Sequence, residues 1–308
     1  MSDRQGVLLI GGNGFLGRAL ATTLAQGGRE VHILSRHVEN GERDGIAFHK
    51  GSQDNPSVVL PLLETCSRVV HLASTTTPGS SARDPVIDIE ENLLPAARLV
   101  DLLSKKPPHR LIFVSSGGSV YGNPRRIPVD ESAEVHPLSY HAAAKLALES
   151  LFNVFANANG VSLGIARPSN LYGPGQTMRN GFGLVRTLME KALHQQAAEV
   201  WGDGATGGRD YLYIDDAVDA CLKLLNDDSA TGAYNIGSGT ATTPEELVAL
   251  TAKVTGFDFP VIRRPGRITD VRMIQLDCTR VRDAVGWSAS TPLETGLSRT
   301  WAWLRSTT

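Results

Sequence analysis

The sequence predicts an α/β fold, a doubly wound parallel sheet with a smaller domain toward the C-terminus. Three observations lead there. Short apolar runs rich in β-branched residues alternate with helix-period segments over the first 120 residues, a glycine-rich turn follows the first run, and past Gly160 the alternation loosens into a Gly-, Pro- and Arg-rich region.

Residues 7–10, 30–34, 46–49, 68–72 and 110–115 read as strands, because each is short, apolar and closed by glycine, serine or proline. Between them, Phe15–Gln26, Pro56–Thr65 and 84–104 carry apolar residues at three- and four-residue spacing, as amphipathic helices do. Strand, helix, strand in repetition implies parallel strands covered on both faces and joined by right-handed crossovers. Later, 161–166 is a strand, 182–196 a helix, and 210–214 with 216–225 a strand and helix that can return to the sheet. One late helix is marked at its start: Thr243 caps it, Pro244 suits its first position and Glu246 completes a capping box.

Composition narrows the classes. The 308 residues, 41% hydrophobic and 20% charged, can bury a sizeable core and, at roughly 150 residues per domain, suggest two domains or one large domain with a smaller one attached. Thirty basic against thirty-two acidic residues, without a block of either sign, give no footprint for nucleic acid or a membrane surface. Small molecules and other copies of the chain are the expected partners. Cys66, Cys221 and Cys278 are widely separated and odd in number, so neither a disulfide framework nor a metal site is expected, and the redox prior is cytoplasmic. No stretch approaches the ~18 apolar residues of a membrane span, and no targeting segment is read.

The first strand runs into Gly11-Gly12-Asn13-Gly14-Phe15-Leu16-Gly17, which holds both GxxGxxG and GxGxxG. A pyrophosphate site asks glycine for a tight turn, close backbone approach to the anion and close helix–strand contact. Gly11, Gly14 and Gly17 meet those needs, and Phe15 and Leu16 open a helix whose free N–H groups face the anion. A merely structural glycine turn is the alternative. The second strand ends at Ser35-Arg36, where an NAD site usually carries a carboxylate for the ribose 2′-hydroxyl. A guanidinium there suits a 2′-phosphate and leans the choice between NAD and NADP toward NADP, against the alternative of a solvated surface arginine.

Further motifs follow in order: Val70-His71-Leu72-Ala73, Asn92, Ser115-Ser116-Gly117-Gly118-Ser119-Val120-Tyr121-Gly122, Arg167-Pro168-Ser169-Asn170-Leu171-Tyr172-Gly173-Pro174-Gly175, Arg209-Asp210-Tyr211 and Asn235-Ile236-Gly237. Across nearly its whole length the chain resembles an extended short-chain dehydrogenase/reductase of the NAD-dependent epimerase/dehydratase family, which acts on nucleotide sugars. The resemblance implies a Rossmann-type NAD(P)-binding domain over 1–170, to which 210–237 returns, and a mainly substrate-binding domain over 171–308. It adds Leu72, Ala73, Lys145, Arg167 and Pro168 to the cofactor residues. It also implies a nucleotide-diphosphate sugar as ligand, held by Asn170, Arg209, Arg263 and Arg264, with Arg267, Asp270 and Arg272 adding charge nearby. A homodimer would pair the 84–104 and 141–155 helices, with Leu148, Leu151, Phe152 and Phe155 serving that interface or the core.

The family's chemistry uses a tyrosine that moves a sugar hydroxyl proton, a lysine one helical turn later, and a Ser or Thr from the fifth strand. Here Tyr140 lies five residues before Lys145, and His141 occupies the four-residue slot. Residues four apart project about 40° from one another on a helix and residues five apart about 140°, so Tyr140 and Lys145 point to different faces. The Ser/Thr position falls on Gly117, with Ser116 and Ser119 as neighbouring substitutes. Three readings stay open: His141 replaces the tyrosine, the protein binds its ligands with lost or altered chemistry, or local irregularity brings Tyr140 into place. The implied activity is that of a UDP-hexose 4-epimerase using NAD(P) for transient oxidation. The alternatives are a nucleotide-sugar reductase, a dehydratase, and a catalytically impaired binding protein. Dehydratase ranks below reductase, because the acid pair beside the catalytic Thr that serves dehydration is absent from Gly117-Gly118-Ser119.

Overall fold

A computed structural model describes residues 5–82, 84–178, 183–201, 207–266 and 271–307. Phe182, Gly202, Asp203, Gly204, Arg267 and Asp270 lie outside the described residues. In chain order the elements are β1 (Gly6–Ile10), α1 (Phe15–Gln26), β2 (Val31–Ser35), β3 (Gly41–Arg43), β4 (Ile46–Lys50), α2 (Pro56–Thr65), β5 (Cys66–His71), α3 (Pro78–Ser81), α4 (Pro85–Asp88), a π-turn (Ile89–Leu93), α5 (Leu94–Lys105), β6 (Arg110–Val114) and α6 (Gly117–Val120). They continue as α7 (Tyr140–Asn159), β7 (Ser162–Pro168), β8 (Asn170–Tyr172), α8 (Leu184–Leu193), β9 (Ala198–Trp201), β10 (Arg209–Tyr213), α9 (Ile214–Asn226), β11 (Gly232–Ile236), β12 (Ala241–Thr242), α10 (Pro244–Thr255), β13 (Val261–Arg264), α11 (Thr279–Val285) and α12 (Leu293–Thr307).

Two compact units form, both discontinuous in sequence. The first comprises 1–115, 140–167 and 218–234, and the second 116–139, 168–217 and 235–308. Compared with a division at 170, segment 116–139 goes with the second unit, and only 218–234 of the returning stretch with the first.

The first unit is a Rossmann-type α/β layer. Its sheet runs β3-β4-β2-β1-β5-β6-β7-β11. The β4-β2-β1-β5-β6-β7 pairs are parallel, and β3 is an antiparallel edge strand on β4. Val7, Leu8 and Leu9 are wholly buried, as expected for a continuously apolar strand covered on both faces. Leu8, Ile10, Val69, Leu111 and Phe113 share one cluster with Leu63 of α2, Leu99 and Leu103 of α5 and Phe152 of α7. Each such side chain contributes roughly 1.5–3 kcal/mol by burial. Leu148 and Phe155 belong to this core and Leu151 packs against it, so these residues serve the core.

The segment 84–104 is not one helix. Asp84 caps α4 through the Val86 N–H, and the backbone then widens into the π-turn, where the Leu94 N–H donates to the Ile89 carbonyl. Pro95 explains the break, since it has no N–H to give the Glu91 carbonyl and its ring crowds that carbonyl.

The second unit carries a β8-β10-β12 sheet and a separate β9-β13 pair. Buried Asp210 pins its centre: one carboxylate oxygen accepts from the Ser238 N–H and hydroxyl (2.8 and 2.9 Å), the other from the Gly239 and Leu276 N–H groups (3.1 and 3.3 Å). The capping box of α10 forms as the sequence predicts, with Glu246 N–H on the Thr243 hydroxyl and Thr243 N–H on the Glu246 carboxylate. Among the described residues no helix is long and apolar enough to cross a membrane.

Candidate active site

β2 and β5 flank β1 on opposite sides, so connections leave the sheet in opposite directions beside the C-terminal end of β1. Ligand crevices of open α/β sheets form at such switch points. The glycine turn lies there, held by Gly11 N–H on the Leu34 carbonyl and Leu72 N–H on the Ile10 carbonyl (both 2.8 Å). Gly11 has φ +77°, and a Cβ on it would come within 2.6 Å of the Ala73 backbone. A Cβ on Gly17 would meet Gly12 backbone atoms at 2.6 Å. Gly14 differs: it is exposed, and its Cβ would meet only the Gly11 carbonyl, at 3.5 Å. No side chain caps α1 and no acidic residue stands in its first turn. The N–H groups of Phe15, Leu16 and Gly17 are thus free for an anion, and this cradle fits the pyrophosphate of a dinucleotide.

Asn13 ties the turn to the end of β2, donating to the His37 carbonyl (3.1 Å) while its own oxygens accept from Arg18 (3.0 Å). Beside it, the Arg36 guanidinium is ion-paired with Glu91 at 2.7 Å. A carboxylate therefore does stand near this strand end, brought from the π-turn, which corrects the premise behind the NADP lean.

α7 carries the next group of residues. His141, Lys145 and Glu149 recur every four residues and are all buried, whereas Tyr140, at the first position, is 48% exposed. The Lys145 ammonium donates to the Val114 carbonyl (2.9 Å) and sits 5.1 Å from the Phe113 ring centroid. Burial pushes Lys145 down to about 8, with Glu149 and Asp88 opposing that shift. Glu149 accepts the Ser115 hydroxyl at 2.5 Å and Arg167 through Nε (3.0 Å) and Nη2 (2.6 Å). The Arg167 guanidinium is thereby taken up in a buried ion pair.

Two of the chain's own hydroxyls hold His141, one at its backbone and one at its ring. Its backbone N–H donates to the Ser81 hydroxyl at 3.2 Å, and its ring Nδ1 lies 3.0 Å from the Thr76 hydroxyl, which donates to Asp88 Oδ1 at 2.6 Å. Asn92 Nδ2 donates to both, at 3.2 and 3.0 Å. Burial, then the Lys145 charge, hold the imidazole down at about 3, so it is neutral at pH 7. His141, Lys145, Asp88 and Asn92 line one small cleft with Ala73 and Ser74. In it Asp88 Oδ2 is buried with no hydrogen-bond partner among the described residues. A neutral base, a buried cation and acceptors in one cleft can exchange a proton with a hydroxyl.

The remaining predicted residues lie in the second unit, including Pro168 at the end of β7. The Ser119 hydroxyl donates to Ser116 at 2.8 Å across α6. Asn170 and Arg209 are on the paired strands β8 and β10: the Asn170 amide donates to the Asp210 carbonyl (3.0 Å), and Arg209 to the Gly208 and Arg272 carbonyls (3.2 and 2.9 Å). Arg263 and Arg264, on exposed β13, pair with Glu245 (2.6 Å) and Glu199 (3.1 Å). The structure thus gathers His141 and Lys145, sets Tyr140 outside, and adds Thr76, Asp88 and Glu149. None of these three is among the residues expected from the sequence; four-residue spacing, Asp88 from Asn92 and Glu149 from Lys145, is the available signal for the last two.

A family profile described as the NAD dependent epimerase/dehydratase family matches residues 7–237. A UDP-glucose 4-epimerase of Mycolicibacterium smegmatis is 30% identical over 97% of this chain and 98% of its own. Among solved structures, the UDP-glucose 4-epimerase of Thermotoga maritima with UDP-glucose superposes with a TM-score of 0.90 at 29% identity, covering 98% of this chain and 99% of that one. The Thermus thermophilus UDP-glucose 4-epimerase in complex with NAD gives 0.90 at 27% identity, covering 98% and 100%.

Proposed function

The chain belongs to the NAD-dependent epimerase/dehydratase family, and from that membership we propose that it is a nucleotide-sugar 4-epimerase in which His141 is the proton carrier. The observation that carries this reading is the buried, neutral imidazole of His141 one helical turn before buried Lys145, both lining one cleft. UDP-hexose as substrate class is supported by the UDP-glucose 4-epimerases to which the chain is similar.

Bound at the glycine turn, the dinucleotide would accept a hydride from the sugar C4 and return it to the opposite face. His141 takes the C4 hydroxyl proton through Nε2 as the carbon is oxidised and gives it back on reduction, so no net redox change results. The Lys145 charge disfavours the imidazolium and so favours return of the proton. Arg36 would meet a 2′-phosphate and Glu91 would oppose it, so this pair sets the choice between NAD and NADP. Asn170, Arg209, Arg263 and Arg264 are candidates for the nucleotide diphosphate, with Ser116 and Ser119 as hydroxyl donors to the sugar. We read the protein as a cytoplasmic homodimer; its free cysteines suit the first, and exposed Val86, Ile87, Ile89, Leu94 and Val154 the second.

The test is incubation with UDP-glucose and either dinucleotide. An epimerase yields UDP-galactose without net cofactor reduction. Stoichiometric cofactor turnover or loss of water would favour the reductase or dehydratase alternative, and ligand binding without conversion the impaired one.

A further inference from the structure

Three groups converge on the Thr76 hydroxyl, and their chemistry leaves one arrangement of protons. The backbone N–H of Thr75 can only donate, and it donates to Asn92 Oδ1 at 3.0 Å, so the other end of that amide is the NH2 group. That NH2 faces Thr76 Oγ1 (3.2 Å) and Asp88 Oδ1 (3.0 Å) as a donor to both. The single Thr76 proton goes to the Asp88 carboxylate, the stronger acceptor, at 2.6 Å. What Thr76 still offers to His141 Nδ1, 3.0 Å away, is a lone pair, so Nδ1 must carry the hydrogen. A neutral imidazole has one N–H, so Nε2 is bare. His141 Nε2 has no hydrogen-bond partner among the described residues.

We propose that Thr76, held by Asp88 and Asn92, is a positioning residue that fixes His141 in its Nδ1–H tautomer, so that Nε2 presents the lone pair that accepts the substrate proton. This rests on His141 being the proton carrier and explains how histidine can occupy a slot in which a phenol would need no tautomer. The groups facing the imidazole are Thr76, Asp88 from α4, Asn92 from the π-turn, and Lys145 from its own helix, itself faced by Glu149, while Ser81 from α3 accepts only the backbone N–H of His141. Lys145 opposes a second ring proton, and the hydroxyl directs the first.

The experiment uses the full chain with 15N-labelled histidine and multiple-bond 15N–1H spectra, the His141 signals being identified by their loss in His141→Gln. The expected result is a protonated Nδ1 and an unprotonated Nε2 in the parent and in Thr76→Ser, with the proton moving to Nε2 in Thr76→Val. In parallel, Thr76→Val should lower kcat for UDP-hexose interconversion about tenfold or more with little change in KM, and Thr76→Ser should restore it. A parent carrying Nε2–H, or a folded Thr76→Val with unchanged tautomer and kcat, would overturn the proposal. If His141→Gln keeps full turnover, the failure belongs instead to the reading of His141 as proton carrier. The parent spectrum decides the tautomer even if Thr76→Val does not fold.

Discussion

The guanidinium of Arg36 and the carboxylate of Glu91 meet at 2.7 Å although 55 residues separate them, one at the end of β2 and the other on the π-turn. Both side chains are 44% exposed, so the pair itself contributes little stability, and its importance lies in what it does to a neighbouring anion. A 2′-phosphate reaching Arg36 must displace or face Glu91. Glu91→Gln should therefore strengthen NADP binding about tenfold and leave NAD nearly unchanged, while Arg36→Ala should weaken NADP selectively. Calorimetric titration of each variant with both dinucleotides is the check, and equal shifts for both ligands would show that the pair does not discriminate.

Two glycines of the same turn should fail in different ways. Gly14→Val has open space for its side chain on the exposed face where the pyrophosphate would lie, so the fold should survive and dinucleotide binding should be lost. Gly17→Val has no room against the Gly12 backbone at 2.6 Å and should destabilise the domain by several kcal/mol, on the order of an overpacked core. Thermal unfolding and calorimetry together separate the two outcomes. Retained binding in folded Gly14→Val would exclude this turn as the pyrophosphate site.

Most of this site could be read from the sequence where chemistry and period coincide. The glycine turn needed only its place between a strand and a helix, and the His141–Lys145 spacing fixed a shared helix face, leaving Tyr140 off it. What the sequence hid were partners brought together by the fold. Glu91 reaches Arg36 because Pro95 forces a π-turn inside an otherwise helix-period segment. Arg167, read as a cofactor residue, spends its guanidinium on Glu149. Arg110, at the start of the 110–115 strand, is fully buried, with the Leu224 and Ala230 carbonyls among its acceptors. None of these pairings has a local signature, since each joins residues far apart in the chain.

Stability should fall in acid because of two imidazoles. His71 and His141 are both held down at about 3, first by burial and then by the Lys145 charge. Unfolded, each binds a proton near pH 6.5, so between about 3 and 6.5 the unfolded chain carries more protons and stability rises with pH. The contribution is fully present above about pH 6.5 and is lost as pH falls toward 3. Replacing one buried imidazole, as in His71→Phe, should flatten the slope of unfolding free energy by up to about 1.4 kcal/mol per pH unit. Urea unfolding between pH 4 and 6.5 measures it, and an unchanged slope would mean that His71 is not held neutral.

Replacing His141 by glutamine keeps a side chain of similar length and hydrogen-bonding capacity while removing the base. Turnover of UDP-glucose and UDP-galactose by the parent, His141→Gln and Tyr140→Phe is the decisive measurement. If His141 carries the proton, the parent interconverts the two sugars, His141→Gln loses at least ~10²-fold in kcat with dinucleotide affinity retained, and Tyr140→Phe is close to the parent. An inert parent, a fully active His141→Gln, or a Tyr140→Phe that alone abolishes turnover would contradict it.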